Sequence, residues 1–557
     1  MKRDLNKLSS TEYDVVIVGA GIYGASAAWD ASLRGLKVAL IDRGDFANAT
    51  SSNSLKIIHG GLRYLQQLDI KRVRESIHEQ KVLMKIAPHL IHPLPFIMPT
   101  YGYGLKSRPS LFFALFVIDL IGFDQKTFDD SKRFLPRGRL ISREKVKSYI
   151  PNYEKNDMSG GALWYDCQCF NTERLVLSYI LSASKSGADI ANYVECTGFL
   201  LDRNKVTGIK AKDYFTGDIF DIKAKIIVNT CGPWVDILLK NLNGRHPIRR
   251  FIHSSAMNIV IKRRLLDKHA VGLSGSYYSK REDGSVYKGY RILFFVPWRE
   301  YTLIGTNHLP YYGDPGNYRV TEAEIQNFLD AVNQAYPGVD IKREEVSFFH
   351  GGLLPMTGVK PDTGEVKLLK KYCIHDHSAD GEVEGLITVV GVKYTTHRDI
   401  VSRTIDLVFK KLQKKPPKCL TEDIPIYGGK IEKFEDCLAE AIRTSGLDEK
   451  VARHLVYNYG SKYRDILKYG QKEPSLIQIV DGSDEVLRAE ILNAVQNEMA
   501  LKLSDVVLRR TDLGSAGNPG KKALREAAKI MAEALGWNEE RIDKEIEEVT
   551  AVYIPAD

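Results

Sequence analysis

The sequence has no paired-cysteine motif, no apolar run of membrane-spanning length and no charged low-complexity arm, and each lack removes a class of protein. Its seven cysteines are odd in number and include no Cys-x-x-Cys, which argues against a disulfide framework and for a reducing compartment. Cys167 and Cys169 lie two apart, so a strand turns both to one side. Further ligands are not legible around them, so they read as packing residues and no metal site is expected. The most apolar later stretch, Leu111 to Ile121, carries Asp119 and falls well short of the ~20 residues a spanning helix needs. Any membrane contact is therefore expected to be peripheral. The apolar run from Val15 to Ala20 behind Met1-Lys2-Arg3 is accounted for below by a strand, not by a secretion signal. The net charge of +9 is spread over Lys262-Arg263-Arg264, Lys410-Lys411, Lys414-Lys415 and Lys418. Mixed charges surround each cluster, which reads as a solvated face, and no nucleic-acid partner is expected.

What is present is globular: 557 residues, 44% hydrophobic and 27% charged, enough for two or three packed units. Tyr13 to Val18 is a β-branched run that reads as a buried strand, and it stops at Gly19. An alanine-rich helix follows through Ala25, Ala27, Ala28 and Ala31, and Lys37 to Ile41 supplies the next strand, making a βαβ unit. Lys205 to Lys212, Asp218 to Asn229 and the stretch around Ile292 to Ile304 read as antiparallel strands, with a helix over Thr321 to Ala335. Gly385 to Val390 is a strand, Thr396 to Leu412 a helix, and Lys414-Lys415-Pro416-Pro417 a linker. From about Glu432 onward helices are expected at Phe434 to Arg443, Val451 to Tyr457, Val486 to Met499 and Lys521 to Leu535.

Gly19-Ala20-Gly21-Ile22-Tyr23-Gly24 falls between that first strand and helix, where glycines allow a tight turn, approach of a pyrophosphate to backbone, and close helix packing. Asp42 lies eighteen residues beyond Gly24 at the end of the second strand, placed to accept hydrogen bonds from an adenosine ribose. These features define a dinucleotide site without separating NAD from FAD.

The block Thr50-Ser51-Ser52-Asn53-Ser54-Leu55-Lys56-Ile57-Ile58-His59-Gly60-Gly61-Leu62-Arg63-Tyr64-Leu65 separates them. It resembles the signature of the flavin-linked glycerol-3-phosphate dehydrogenases, among the amine-oxidase-like flavoproteins. Pro93-Leu94-Pro95-Phe96, Asn229-Thr230-Cys231-Gly232-Pro233-Trp234, Val296-Pro297-Trp298, Ile304-Gly305-Thr306, Gly313-Asp314-Pro315 and Gly391-Val392-Lys393-Tyr394-Thr395-Thr396 occur in that family's order. Tyr459-Gly460-Ser461 and Glu498 through Arg509-Arg510-Thr511 resemble its C-terminal domain.

The resemblance implies an α/β fold: a Rossmann-like FAD domain from 12–66, 155–240 and 350–412, a mostly antiparallel substrate domain from 67–154 and 241–349, and a helical domain over 424–550. It implies FAD bound by Gly19, Gly21, Tyr23, Gly24, Asp42, Thr50, Ser51, Ser52, Ser54, Lys56, Gly60, Gly61, Gly232, Trp234, Gly391, Val392 and Thr395, with the serines and Lys56 along the flavin's phosphate and ribityl chain. The implied reaction is hydride transfer from a secondary alcohol carbon to flavin N5, glycerol 3-phosphate becoming dihydroxyacetone phosphate. The electron acceptor, quinone or oxygen, is not written in any motif; the resemblance implies a membrane quinone, reached by a cytoplasmic protein through peripheral association.

Arg63, Tyr64 and Lys393 match the family's substrate residues, Lys393 beside both substrate and flavin. Two positions depart from it. The family's Gly-Val-Arg-Pro reads Gly352-Leu353-Leu354-Pro355, and Asn258 replaces a family histidine. Losing an arginine removes a charge-assisted anion contact of ~1.5–3 kcal/mol. Lys360 either substitutes for that charge or is a solvated loop lysine; His308 stands where the family has an acid. His59 either orients backbone and flavin or takes part in proton transfer, and His397 reads as structural. A different polyol, hydroxy acid or amine as substrate, and a flavoprotein kept only for binding or regulation, remain alternatives.

Overall fold

The computed structural model describes the chain apart from residues 63–68, 103–106, 123–129, 131–132, 156, 241, 243–250, 281–285 and 362; for 276–280 and 286–290 it describes backbone alone. The expected substrate residues Arg63 and Tyr64 lie outside the described residues.

Two sheets organise the first three quarters of the chain. The first runs in the order Cys373–Asp376, Leu386–Val390, Ile219–Asn229, Glu12–Val18, Val38–Ile41, Asp189–Ala191. Glu12–Val18 lies parallel to both Ile219–Asn229 and Val38–Ile41. Every residue of Val38–Ile41 is buried, which is why this strand reads as an unbroken apolar run. Helices Ile22–Leu33, Thr172–Lys185 and His397–Lys411 cover one face, sharing a core with Val15, Ile17, Leu40 and Val228. The hairpin Val194–Asp202 and Lys205–Asp213 extends antiparallel from Ile219–Asn229, as the turn residues of the sequence anticipate. This is the dinucleotide-binding α/β fold.

The second sheet is antiparallel except where Ala270–Lys280 meets Ile91–Tyr101. Helix Glu322–Ala335, begun by a capping box between Thr321 and Glu324, packs on strand Ala270–Lys280, its Ile325, Phe328, Leu329 and Val332 sharing a core with Val271 and Leu273. Sheet membership cuts across the expected domain ranges. Ile57–Ile58 and Met158–Cys169 belong to this sheet although they fall in stretches expected with the cofactor domain, and Val346–Val359, also in this sheet, crosses the boundary expected between 349 and 350. Which sheet a strand joins is settled by long-range pairing, for which the strand's own alternation carries no label.

Beyond residue 430 the described structure is helical. Two helices absent from the sequence reading, Tyr463–Lys472 and Glu539–Ala551, add to those anticipated. The first is short and contains Gly470; the second buries only Ile542, Glu545 and Val549, too narrow a stripe to stand out by period. Buried charge fastens this region to the first sheet. Asp45 accepts from Arg509 Nε at 2.6 Å, Arg510 Nη2 at 2.6 Å and Asn192 Nδ2 at 3.0 Å, and Arg174 pairs with Glu498 at 2.7 Å.

Candidate active site

The glycine turn has the geometry its spacing implies. Gly19 has φ +100°, a conformation that disfavours side chains. A Cβ on Gly24 would lie 1.8 Å from the Gly19 carbonyl oxygen, so the helix packs on the turn only with hydrogen there. Gly21 caps helix Ile22–Leu33 with no side-chain hydrogen bond, leaving the helix N-terminus open for an anion. Ser51 Oγ accepts from Ile22 N at 3.0 Å, bringing the Thr50–Gly61 block against that terminus. Asp42 ends the second strand, accepting from Ala20 N at 2.6 Å and Gly44 N at 2.9 Å. Burial raises its carboxyl to about 6 against the pull of those amides. Beside it, the Arg43 guanidinium lies over the Trp234 ring, 4.4 Å from its centroid.

The block continues as a half-buried wall. Thr50 Oγ1 donates to Leu353 O at 3.1 Å, while Ser51, Ser52 and Ser54 remain partly accessible. Lys56 does not follow the expectation of an ammonium along the flavin phosphates. Its Nζ is buried, 2.8 Å from Glu173 and 3.0 Å from Thr172 Oγ1, because burying that charge demands a carboxylate partner. His59 is half-exposed, with Nδ1 3.6 Å from Asp166 Oδ2. Asp166 also accepts from Gly60 N at 2.5 Å and Trp164 Nε1 at 3.2 Å. Over a hundred residues separate it from His59, and nothing in the sequence marks it.

The Gly391–Thr395 loop closes the site from the other side. A Cβ on Gly391 would lie 1.9 Å from Tyr23 Cζ, and Tyr23 OH donates to Lys393 O at 2.7 Å. Thr395 Oγ1 accepts from His59 N at 3.2 Å, tying this loop to the serine block. Burial, aided by Arg72 and opposed by Glu75 and Asp69, lowers Lys393 to about 8. His397 is buried, with Nδ1 2.7 Å from Tyr394 O.

Strand register supplies the last wall. Ser254, Ala256 and Asn258 stand opposite Leu354, Gly352 and His350 on one side. On the other, Ser254 and Ala256 face Pro310 and His308, and Asn258 faces Gly305. Alternation therefore puts Leu354, Asn258, His350 and His308 on one face. That face meets the serine block: Gly352 sits against Thr50, and Gly305 against Leu55. Asn258 Oδ1 accepts from Thr306 Oγ1 at 2.8 Å. His350 escaped the sequence reading. It is buried, and desolvation followed by the Lys56 charge pushes it well below the ordinary histidine range, so it is neutral. Lys360, weighed as a stand-in for the missing arginine, pairs instead with Glu365.

Two observations fit FAD to this cleft. The space above Gly21 is one a side chain would fill, and the buried Trp234 Nε1 and His350 Nε2 have no hydrogen-bond partner among the described residues. Fold and site together define a flavoprotein oxidoreductase. Residues 14–393 match the family described as FAD dependent oxidoreductase, and 419–542 match the C-terminal domain of alpha-glycerophosphate oxidase. The glycerol-3-phosphate dehydrogenase of Synechocystis sp. is 32% identical, covering 98% of this chain and 97% of its own. The aerobic glycerol-3-phosphate dehydrogenase of Staphylococcus epidermidis is 30% identical over 92% of this chain and 89% of its own. The solved glycerol-3-phosphate dehydrogenase of Bacillus halodurans, complexed with FAD, superposes with TM-score 0.74 at 25% identity, covering 98% and 96% of the two chains. The chain belongs to the FAD-dependent glycerol-3-phosphate dehydrogenase family.

Proposed function

We propose that the protein oxidises the secondary alcohol of glycerol 3-phosphate to the ketone, dihydroxyacetone phosphate, and passes the electrons to a membrane quinone. The full-length similarity to glycerol-3-phosphate dehydrogenases carries this reading. FAD, when bound, supplies the acceptor for the carbon-bound hydride, at flavin N5. The residues around it do the rest. Asp166 beside His59 Nδ1 favours the tautomer protonated there, leaving Nε2 to take the hydroxyl proton. Lys393, which burial lowers to about 8, is placed to balance negative charge arising in the cleft. The remaining FAD contacts are assigned to Gly19, Gly21, Tyr23, Gly24, Asp42, Thr50, Ser51, Ser52, Ser54, Gly60, Gly61, Gly232, Trp234, Gly391, Val392 and Thr395, and the substrate phosphate to Arg63 and Tyr64.

Leu354 favours a second reading, a polyol, hydroxy acid or amine without phosphate. Anaerobic flavin bleaching against polyol phosphates, free polyols and amino acids separates the two. Glycerol 3-phosphate is expected to bleach the flavin fastest, and Leu354→Arg to lower its KM about tenfold or more by restoring a charge-assisted contact of ~1.5–3 kcal/mol. If a phosphate-free substrate wins the panel, Leu354→Arg should instead depress its turnover by burying an unpaired charge. A variant that changes neither parameter refutes the placement of Leu354 at the substrate.

Access to a quinone is supported by helix Arg108–Ile121. It buries Leu111 and Leu115 and presents Phe112, Phe113, Phe116 and Leu120 to solvent, each more than half exposed. Exposed Arg137 and Arg139 flank it. Among the described residues no helix is long and apolar enough to cross a membrane, so this face would lie in the interface of an anionic bilayer. Vesicles containing anionic lipid should sediment the wild type, and Phe113→Ser with Phe116→Ser should weaken binding at least about tenfold, since each buried phenylalanine contributes ~1.5–3 kcal/mol. Equal sedimentation of both proteins would refute this docking face.

A further inference from the structure

The hairpin Cys373–Asp376 and Leu386–Val390 forms the edge of the first sheet. Its turn lies at the end away from the Gly391–Thr395 loop, so what gathers there is outside the catalytic cleft. His375 and His377 face each other, ring centroids 4.4 Å apart. The intervening loop folds back, Glu382 N donating to His377 O at 3.0 Å, and carries two carboxylates to the imidazoles. His375 Nε2 is 3.6 Å from Asp380 Oδ2 and 3.8 Å from Glu382 Oε2, and His377 Nδ1 is 2.6 Å from the same Glu382 oxygen.

We propose that His375, His377, Asp380 and Glu382 bind one divalent transition-metal ion of the zinc class, as a clip that closes this hairpin. Donors placed tetrahedrally at ~2.1 Å from a zinc ion stand about 3.4 Å from one another. Of the three separations above, two already approach that value and the third needs to open by less than an ångström; Asp380 stands outside the compact group of His375, His377 and Glu382 and turns in from the surface to complete the set. Two neutral imidazoles and two carboxylates balance a dication, and the nitrogen donors select zinc-like ions over magnesium or calcium. The other ring nitrogen of His377 lies 2.9 Å from Thr388 Oγ1, a contact that orients Nδ1 into the cluster as metal-ligating histidines are usually oriented. The nearby Lys411 is engaged with Asp376 at 2.7 Å, not with Asp380 or Glu382. Asp380, its side chain 42% exposed, leaves a route for the ion.

A second group, His454, Glu485 and Asp512, differs in kind. There one imidazole nitrogen is 2.9 Å from Glu490 and the other 3.3 Å from Asp512. Although burial opposes it, these carboxylates raise His454 to about 10, so protons occupy both positions.

The test uses FAD-loaded enzyme treated with EDTA, passed through gel filtration after exposure to Zn2+ or Mg2+, and read by elemental analysis and thermal melting. One Zn2+ per chain and a raised Tm are expected for the wild type, with Mg2+ not retained. His375→Ala and the surface variant Asp380→Asn should keep their flavin absorbance and turnover yet bind Zn2+ at least about tenfold more weakly. Wild type that retains no Zn2+, variants that retain as much as wild type, or a preference for Mg2+ would overturn the proposal.

Discussion

Protein carrying Gly21→Val is expected to purify folded and colourless. Gly21 sits where helix Ile22–Leu33 opens towards the cofactor, and even a single Cβ there would lie 3.0 Å from Ser51 Oγ. That hydroxyl is already held by Ile22 N, so it cannot move aside without giving up the contact that seats the serine block. Valine adds two methyl groups over the amides that would receive a pyrophosphate. Losing two such charge-assisted bonds, at ~1.5–3 kcal/mol each, weakens FAD binding by a factor on the order of a hundred or more. The ratio of flavin to protein absorbance measures the effect, with far-ultraviolet circular dichroism as the check on folding. Gly21→Ala should fall between valine and wild type. A stoichiometrically yellow Gly21→Val protein would disprove this placement of the pyrophosphate.

The largest effect on stability is expected from Asp45→Ala. Burial alone would raise this carboxyl, but the guanidiniums of Arg510 and Arg509 overcome it and hold it well below the usual carboxylate range. The carboxylate joins the cofactor sheet to the C-terminal helices, and its removal leaves two buried arginines with less compensation. Breaking a buried ion pair from one side costs ~3–5 kcal/mol. Asp505 remains 2.8 Å from Arg509 Nη2, which offsets part of the loss for that arginine, whereas Arg510 keeps the weaker support of Glu498 O at 3.2 Å and the Phe46 ring, 5.6 Å from its guanidinium. Because the folded-state pKa is depressed, this stabilisation is present above the unfolded carboxylate value of ~3.9 and is lost as pH falls through the folded value. Denaturant unfolding at neutral pH should register the full difference. A change below about 1 kcal/mol, within the range of an ordinary surface substitution, would mean that these charges do not carry the domain contact.

The parts legible in the sequence were those whose physics is local. Glycine at 19, 21 and 24 between a β-branched run and an alanine-rich helix permits little besides a dinucleotide turn, and Asp42 follows at the end of the next strand. Helix Glu322–Ala335 was legible as a helix over Thr321 to Ala335, and the structure adds the capping box that begins it. Lys56 shows the limit of such reading. Its place in the serine block suggested a phosphate contact, but its side chain is claimed by Glu173, more than a hundred residues away.

By itself, then, the sequence determined the cofactor turn and the main strands and helices near it, because each rests on residues within one or two elements of each other, and the family resemblance, because its motifs recur in order along the chain. Only the tertiary structure decided which sheet Met158–Cys169 and Val346–Val359 join, that Asp166 stands beside His59, and that His350 shares a face with Asn258 and Leu354. It also decided that His375 and His377 meet two carboxylates in a turn. The reason is that strand register and side-chain convergence depend on pairings between distant segments, whereas spacing along the chain specifies only what a residue does within its own element.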